Sequence, residues 1–304
     1  MRAVRFHRYG GIDVLQIEDV PLRPLGPRDV VVRVRAAGIN PGEAKIRTGA
    51  LHDIFPATFP SGQGSDLAGT ITETGSEVTL RQPGDDVLGW SWERSSHAEY
   101  VVVPQDQLVA KPADLPWPPA GALYVAGATA WASVNAVDPH PGDHVLLAGA
   151  TGGVGTIALQ LLRLRGADVT AIASPRHQAW IEQHGATFAA YGPRLADDLE
   201  HSTGRPPPDA VVDLHGGYVD LALSLGVAPD RINTINYDAA AAHGTRSDAS
   251  AEGTQPDALA ELARLAANHT IEIPIAATYP LDQVRAAFTH LEQRHPLGKI
   301  VLLP

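Results

Sequence analysis

The chain has no cysteine among its 304 residues. This absence excludes disulfide bridges, thiolate-bound zinc, iron–sulfur clusters and a cysteine nucleophile. Lysine is scarce as well, since only Lys45, Lys111 and Lys299 occur among the 23 basic residues. Each lysine is therefore a candidate for a specific role, with an ordinary exposed side chain as the alternative.

Basic charge is also in short supply, because 34 acidic residues leave the chain with a formal net charge of −11. Nucleic acid and anionic membranes attract basic surfaces, so we expect neither as a partner. The N-terminal segment has no apolar signal region, and the most apolar stretch, residues 120–134, is too short to span a bilayer. The 44% of hydrophobic residues is enough for a packed core, and we expect a cytoplasmic protein.

The first part of the chain has the pattern of short strands separated by turns. Residues 30–36 and 68–74 alternate between apolar and polar, and the turn at 82–86 precedes another apolar run at 87–90. A cluster of prolines at 112–119 then marks a boundary. The pattern predicts a compact, barrel-like β module.

The second part alternates between strand and helix patterns, which predicts a parallel sheet with helices on both faces. The expected strands are residues 144–149, 168–173, 209–214 and 231–235, and the expected helices are 154–165 and 176–184. Residues 239–253 are rich in Ala, Gly and Ser and predict a mobile loop. After it we expect a helix at 257–268, a strand at 271–276, a helix at 281–293 and a strand at 299–303, of which at least the last two rejoin the first module.

A glycine motif lies between the first strand and first helix of this second part. Residues 150–155 read ATGGVG, which is A-x-G-x-x-G. Gly152 would let the backbone approach a pyrophosphate, and Gly155 would let the helix pack closely on the strand. The alternative is a tight turn in any α/β protein. A P-loop is excluded because no Gly-Lys-Ser or Gly-Lys-Thr follows.

The end of the next strand bears on the choice of dinucleotide. A carboxylate there would bind the ribose hydroxyls of NAD, but residues 173–177 read ASPRH and contain none. Ser174 can donate a hydrogen bond and Arg176 can pair with a 2′-phosphate, which favours NADP(H). An ordinary basic first turn of a helix is the alternative.

Six further segments, in order along the chain, match motifs of one protein family. They are residues 38–47 (GINPGEAKIR), 64–69 (GSDLAG), 83–87 (PGDDV), 97–101 (HAEYV), 127–131 (GATAW) and 298–302 (GKIVL). With the glycine motif, they resemble the medium-chain dehydrogenase/reductase superfamily, in its zinc-independent quinone oxidoreductase (zeta-crystallin-like) branch.

This resemblance implies an α/β fold with a GroES-like β-barrel domain and a Rossmann doubly wound domain. The first would span residues 1–117, completed by about 270–304, and the second residues 118–269. The resemblance also implies an active site in the cleft between the domains and a homodimer. The segment after residue 236, which helps to form the dimer sheet in relatives, is polar and rich in Ala here.

The resemblance also bears on zinc. Zinc-dependent relatives have Cys where Asn40 stands and Gly-His-Glu where residues 64–66 read Gly-Ser-Asp. The cysteine and histidine ligands are therefore missing, and no catalytic metal is expected. His140 and His144 lie in a Pro/Gly-rich turn, and we interpret both as surface residues.

By position in the family, a set of residues would bind the cofactor. Asn40 and Thr129 would lie near the nicotinamide, Gly152, Gly153 and Val154 at the pyrophosphate, Ser174, Arg176, His177 and Tyr191 around the 2′-phosphate, and His215 and Asn236 at the ends of later strands. The family often has Lys where His177 stands, and an imidazole only partly charged at pH 7 would weaken that contact.

Without a metal, reduction of a simple ketone has little support, but an electron-poor conjugated double bond can still accept a hydride. The expected substrate is a quinone or an α,β-unsaturated carbonyl. Asn40 and Lys45 are the candidate hydrogen-bond donors to the developing enolate, with a surface role as the alternative for Lys45. Tyr237 and His97 are weaker candidates for delivering the proton, which solvent could also supply.

Two other functions remain open at this point. One is an enoyl or imine reductase that tailors a biosynthetic intermediate. The other is a catalytically silent NADPH-binding protein, against which the presence of Asn40, Asp66 and Thr129 counts.

Overall fold

A computed structural model describes residues 1–199, 206–248, 256–293 and 296–304. The chain divides into two compact units. The first unit is Met1–Val125, Leu259–Thr270 and Pro274–Pro304, and the second is Ala126–Ala258 with Ile271–Ile273.

The described elements run in the following order. The first stretch holds β1 (Arg2–Phe6), β2 (Gln16–Asp19), β3 (Asp29–Gly38), α1 (Pro41–Thr48), β4 (Ser61–Gly62), β5 (Asp66–Thr74), β6 (Asp86–Trp90), β7 (Tyr100–Pro104), β8 (Leu108–Ala110), α2 (Trp117–Ala120) and α3 (Leu123–Val137). Next come β9 (His144–Ala148), α4 (Gly153–Leu164), β10 (Asp168–Ala173), α5 (Gln178–Gln183), β11 (Thr187–Ala190), α6 (Leu195–Asp197), β12 (Ala210–Asp213), α7 (Val219–Ser224), β13 (Ile232–Thr234) and α8 (Tyr237–His243). The chain ends with α9 (Pro256–Ala267), β14 (Ile275–Pro280), α10 (Val284–Glu292) and β15 (Lys299–Leu303).

The first unit is built from two sheets, of order β2-β1-β4 and β14-β15-β3-β5-β6-β8, with β7 also pairing with β3. The central strand β3 is rich in Val, and its side chains meet those of β5, β6, β7 and β8 in one core. A second core joins Phe6, Ile39, Phe288 and Ile300. Strand β15 runs antiparallel to the end of β3, with Val301 opposite Gly38. The C-terminal strand is therefore adjacent to Asn40, which follows β3.

The second unit contains one parallel sheet of order β11-β10-β9-β12-β13. Every residue of β9 is buried, as expected for the central strand of a sheet covered on both faces. From β9 the chain builds outward through β10 to β11, and then returns to the other side for β12 and β13. This is the doubly wound α/β order, in which ligands bind outside the carboxyl ends of the strands where the order reverses. The predicted fold class is confirmed.

Two predicted elements differ from the structure. Residues 239–243, expected in a mobile loop, lie in α8. The N-cap residue of this helix, Asn236, accepts a hydrogen bond from the backbone N–H of Ala239 at 3.1 Å. The rest of that predicted loop from residue 249 lies outside the described residues. The strand expected at 271–276 runs from Ile275 to Pro280 instead. Ile271 and Ile273 are buried, but in the second unit, so their alternation reflects packing without a strand.

His144 also differs from the sequence interpretation, because it is a buried residue of β9. One ring nitrogen lies 2.8 Å from Thr170 Oγ1, and the other lies 2.8 Å from the carbonyl oxygen of Pro206. Its imidazole therefore links neighbouring segments of the second unit. His140 is exposed, as predicted. Within the described part of the chain, no helix is long and apolar enough to cross a membrane.

Candidate active site

The carboxyl edge of the sheet in the second unit brings together most of the predicted cofactor-binding residues. The glycine loop follows β9, and Ser174 to His177 follow β10. Tyr191, His215 and Asn236 follow β11, β12 and β13. Because parallel strands end at the same edge, these residues all lie at the carboxyl edge of the sheet. Thr129 lies elsewhere in this unit, half-buried in α3.

The glycine loop has the geometry that close approach of a phosphate needs. Gly152 is the N-cap of α4, and no side chain caps this end of the helix. A Cβ at Gly152 would have one neighbour within 4 Å, the carbonyl oxygen of Gly149 at 3.5 Å. A Cβ at Gly155 would lie 2.1 Å from that same oxygen, so only glycine lets α4 pack against the end of β9. Free N–H groups and the helix dipole thus meet open space at Gly152, which fits a pyrophosphate.

The end of β10 presents hydroxyl, guanidinium and imidazole groups. Arg176 is exposed, and its Nε donates to Ser174 Oγ over 3.4 Å. His177 Nδ1 lies 3.1 Å from Thr151 Oγ1, which connects this turn to the glycine loop. Tyr191 is exposed beyond the adjacent strand. This donor set fits a phosphate group.

The ends of β12 and β13 are organised by Asp213, which the sequence reasoning missed. Its buried carboxylate accepts the backbone N–H groups of His215, Gly216 and Tyr218 at 3.1, 2.8 and 3.0 Å. It also accepts the hydroxyl of Thr234 at 3.0 Å. The only available signal in the sequence was an acidic residue at a strand end before a Gly-Gly pair.

The loop after β12 is joined to the one after β13 by Asn236, whose Nδ2 donates to the carbonyl oxygen of Gly216 over 2.9 Å. Tyr218 packs edge-on against the exposed ring of His215, with centroids 5.5 Å apart. Burial, reinforced by the charge of Asp213, raises the pKa of the Tyr218 phenol, which keeps it protonated. Tyr237 begins α8 and is exposed.

A buried polar cluster lies in the first unit and contains Asn40, Glu43, Asp66, His97 and Lys299. None of these residues is more than 4% exposed. They come from the start of α1, the start of β5, the segment before β7 and the start of β15. Polar and charged groups so deeply buried need hydrogen-bond partners within the protein.

Within the cluster, Asn40 is held on both sides of its amide. Lys299 Nζ donates to Asn40 Oδ1, to Asp66 Oδ2 at 3.2 Å and to the carbonyl oxygen of Ile39 at 3.3 Å. Asn40 Nδ2 donates to Asp66 Oδ2 over 3.1 Å and to Glu43 Oε1 over 3.4 Å. The other carboxylate oxygen of Asp66 accepts the N–H of Val125 at 2.7 Å.

Glu43 and His97 complete the cluster. Glu43 accepts the backbone N–H groups of Asn40 at 3.0 Å and Ser65 at 2.8 Å, so it fixes the start of α1. His97 Nε2 lies 3.1 Å from the carbonyl oxygen of Gly38, which requires the ring hydrogen on that nitrogen. The side chain of His97 is fully buried, and its Nε2 is engaged by this carbonyl oxygen.

The structure separates the roles of the lysines. Lys45, the predicted donor, is exposed on α1 and is not part of the cluster. Lys299, to which the sequence assigned no catalytic role, is buried at its centre. Its rarity in the sequence and its place after Gly298 at the start of a strand were the signals that could have identified it.

The cluster also bears on the metal question. The ammonium group of Lys299 lies between Asn40 Oδ1 and Asp66 Oδ2. In the part of the chain that the structure describes, no group of three or more His, Cys, Asp or Glu side chains could hold a metal ion. The donor set at this place therefore does not fit zinc.

A doubly wound sheet with a glycine loop and hydrogen-bond donors suited to phosphate at its carboxyl edge is the arrangement typical of dinucleotide-binding proteins. The alcohol dehydrogenase GroES-like domain family matches residues 26–113, and the zinc-binding dehydrogenase family matches residues 184–302. The chain belongs to the medium-chain dehydrogenase/reductase superfamily of nicotinamide-dependent oxidoreductases.

Relatives and solved structures of similar length agree with this assignment. A quinone oxidoreductase of Pseudomonas aeruginosa is 28% identical, over 100% of this chain and 99% of its own. The chloroplastic NADPH-dependent alkenal/one oxidoreductase of Arabidopsis thaliana is 29% identical, over 100% of this chain and 80% of its own. The structure of the quinone oxidoreductase from Coxiella burnetii superimposes with a TM-score of 0.86 at 28% identity, over 100% of this chain and 99% of the other.

Proposed function

We propose that this chain is an NADPH-dependent, zinc-independent oxidoreductase that reduces an electron-poor conjugated acceptor, a quinone or an α,β-unsaturated carbonyl. The observation that carries the proposal is the carboxyl edge of the second unit. There an uncapped helix N-terminus with a glycine loop adjoins Ser174 and Arg176. Relatives named for quinone and alkenal/one reduction support the acceptor class.

The cofactor would be held by groups from consecutive strand ends. Gly152 would let the backbone approach the pyrophosphate, and the N–H groups of Gly153 and Val154 in the first turn of α4 would bind it. Ser174 and Arg176 would bind the 2′-phosphate, with His177 and Tyr191 beside them. When bound, the cofactor supplies the hydride. His215 and Asn236 shape the loops at the same edge, and Thr129 and Asn40 are the residues proposed for the nicotinamide end.

The acceptor class follows from what the buried polar cluster offers. A simple ketone needs strong polarisation of its carbonyl oxygen, which a metal supplies in zinc-dependent relatives. Here Lys299 occupies the space between Asn40 and Asp66. A conjugated acceptor takes hydride at its β-carbon or at a quinone ring carbon, and negative charge then develops on its carbonyl oxygen. A hydrogen-bond donor and a solvent proton suffice for this reaction.

Asn40 is the proposed donor to that oxygen. Its Nδ2–H that points to Glu43 makes the longer bond, at 3.4 Å, whereas Glu43 Oε1 also accepts the N–H of Ser65 at 2.8 Å. An acceptor oxygen could share this N–H, because Glu43 keeps its hydrogen bonds from the backbone N–H groups of Asn40 and Ser65. Lys45 and Tyr237 are exposed and remain secondary candidates.

The test is an assay of NADPH oxidation over a panel of quinones, enones, enoyl thioesters and imines, repeated after dialysis against a chelator. We expect turnover of quinones or enones that the chelator does not change. Turnover of thioesters or imines alone would favour a biosynthetic reductase. Binding of NADPH without turnover of any acceptor would favour a silent binding protein, and a rate restored by zinc would contradict zinc independence.

A further inference from the structure

Lys299 makes three hydrogen bonds in the interior of the first unit, and each of them goes to Asn40, its neighbour Ile39 or its partner Asp66. A buried ammonium group needs compensation by several acceptors, and these three use all of its hydrogens. The side chain of Lys299 therefore has one set of contacts, and it centres on Asn40.

The contact with Asn40 Oδ1 decides which way the amide faces. The oxygen and nitrogen ends of an asparagine amide are nearly equal in size, so packing alone does not distinguish them. The charges on either side of the amide do distinguish them. A reversed amide would place its N–H groups against the ammonium of Lys299 and its oxygen against the carboxylate of Asp66. Lys299 and Asp66 thus hold Oδ1 and one N–H, and they leave the second N–H facing Glu43 at 3.4 Å.

We propose that Lys299 is the positioning residue for Asn40: it holds the amide oxygen so that the second N–H is presented to the acceptor oxygen. This inference rests on the proposed function. Without Lys299 the amide could reverse and turn Oδ1 towards an oxygen that becomes negatively charged during hydride transfer. Charge-bearing oxygens then repel one another, and the donor is lost where it is needed.

Lys299 also balances charge, so a test has to separate positioning from stability. The cluster holds the carboxylates of Glu43 and Asp66 with one ammonium. Removal of a buried cation from its carboxylate is destabilising by itself. Lys111 offers a matched control in the same unit, because its Nζ donates to the carbonyl oxygens of Pro112 at 2.9 Å and Leu115 at 2.7 Å, and it does not contact the cluster.

The first experiment compares Lys299→Met, Lys299→Arg and Lys111→Met in the full chain, with an acceptor that wild type reduces. For Lys299→Met we expect kcat to fall roughly 10- to 100-fold, which is less than the roughly 100- to 1,000-fold for complete loss of one oxyanion donor, because the Asn40 amide is still present. The Kd for NADPH, measured by its fluorescence, should change less than about twofold, because the residues proposed to bind the phosphates of NADPH are unchanged. Lys299→Arg should recover most of kcat, and Lys111→Met should lower the melting temperature without lowering kcat.

The decisive measurement is the double-mutant cycle with Asn40→Ala. If Lys299 acts through Asn40, Lys299→Met should change kcat by less than about twofold in the Asn40→Ala background. An equal fall in both backgrounds, or an unchanged kcat in Lys299→Met alone, would overturn the proposal. Should Lys299→Met not fold, Lys299→Gln takes its place in the cycle, since its amide has two N–H donors in place of the three of the ammonium and carries no charge.

A readout without turnover keeps this inference separate from the proposed function. In ¹⁵N-labelled protein, the side-chain NH₂ signal of Asn40 is identified by its absence in Asn40→Ala. We expect it to exchange with solvent faster in Lys299→Met than in wild type or Lys111→Met. Unchanged exchange would refute positioning by Lys299 even if no acceptor were found, whereas faster exchange with no acceptor would refute the proposed function alone.

Discussion

At the residue scale, Arg176 is the side chain expected to decide between NADPH and NADH. It is exposed after β10, and its guanidinium is next to Ser174. A charge-assisted hydrogen bond contributes about 1.5–3 kcal/mol, so Arg176→Ala should weaken NADPH by roughly 10- to 150-fold. The loss should appear in the KM for NADPH and leave kcat nearly unchanged, because the contact is the same in ground and transition states.

The control for this prediction is Arg264→Ala, which removes an exposed arginine paired with Glu261 in the first unit. It should leave the KM for both cofactors as in wild type. NADH lacks the phosphate and should barely respond to Arg176→Ala. Equal use of NADH by wild type, or equal loss for both cofactors, would contradict this interpretation of the end of β10.

Asp29 provides a second prediction at this scale, concerning pH. Its carboxylate accepts a hydrogen bond from Arg23 at 2.6 Å and from the N–H of Gly26 at 3.1 Å. The hydrogen bond from Arg23 lowers the pKa of Asp29, and partial burial only partly opposes this. Because the pKa of Asp29 is lower in the folded than in the unfolded chain, its carboxylate stabilises the fold. This contribution is fully present above the unfolded pKa of about 3.9 and is lost as pH falls through the folded pKa.

The measurement is the free energy of unfolding of wild type and Asp29→Asn between pH 7 and pH 2.5. The difference between them should stay constant from pH 7 to pH 5 and shrink as pH falls below about 4. A difference that persists unchanged to pH 2.5 would mean that the carboxylate charge does not contribute.

At the scale of elements, the contact between α4 and β9 depends on one missing methyl group. A Cβ at Gly155 would lie 2.1 Å from the carbonyl oxygen of Gly149 and 2.7 Å from the carbonyl carbon of Ala150. Gly155→Ala should therefore push the helix away from the strand and destabilise the chain by about 1–3 kcal/mol. The NADPH Kd should rise with it, because the first turn of α4 is proposed to bind the pyrophosphate.

Gly42 is the matched control, since it also lies in the first turn of a helix and a Cβ there would meet nothing within 4 Å. Gly42→Ala should be neutral or stabilise the chain by up to about 1 kcal/mol. Denaturant unfolding and cofactor fluorescence measure both effects. Equal effects of the two substitutions would contradict the close packing at Gly155.

Much of the element order could be predicted from the sequence because each element carries its own local pattern. Strand β10 and strand β15 begin and end at the predicted residues. Strand β14 was misplaced because Ile271 and Ile273 alternate like a strand but pack in the other unit. The helix α8 differs from the predicted loop because the Gly and Ser residues later in the segment favour a loop, whereas the run of Ala at its start favours a helix.

The residues of the candidate site also differ in how far the sequence reveals them. The glycine loop and the end of β10 are contiguous in sequence and could be found there. The rarity of Lys299 marks it in the sequence, but its contact with Asn40 could not be predicted, because Asn40 lies 259 residues away and the pairing of β15 with β3 brings them together. Asp213 was missed because its contacts are mostly with backbone N–H groups, which leave no mark on residue types.

At the scale of the whole molecule, we predict a homodimer, and the structure bears on which surface it uses. The outer edge of β13 is already covered, because the N–H of Thr234 donates to the carbonyl oxygen of Arg246 over 3.0 Å and the N–H of Arg246 donates to that of Ile232 over 2.9 Å. A second copy cannot extend the sheet there without breaking these bonds. Strand edges that are covered in this way resist pairing.

Light scattering at micromolar concentration should therefore give the mass of two chains. Amide hydrogen exchange at Thr234 and Arg246 should not change when the dimer is diluted to monomer. A monomer mass would contradict the dimer, and faster exchange on dilution would place the interface at this edge after all.

The unequal burial of the three lysines has a practical consequence for chemical labelling. Lys299 is enclosed, Lys111 is half-buried with its amine bound to two carbonyl oxygens, and only Lys45 is exposed. The terminal amine of Met1 donates to the carbonyl oxygen of Val20 at 3.0 Å. Amine-reactive dyes and surface-coupling chemistries should therefore attach mainly at Lys45, which gives the native protein a single handle for oriented immobilisation.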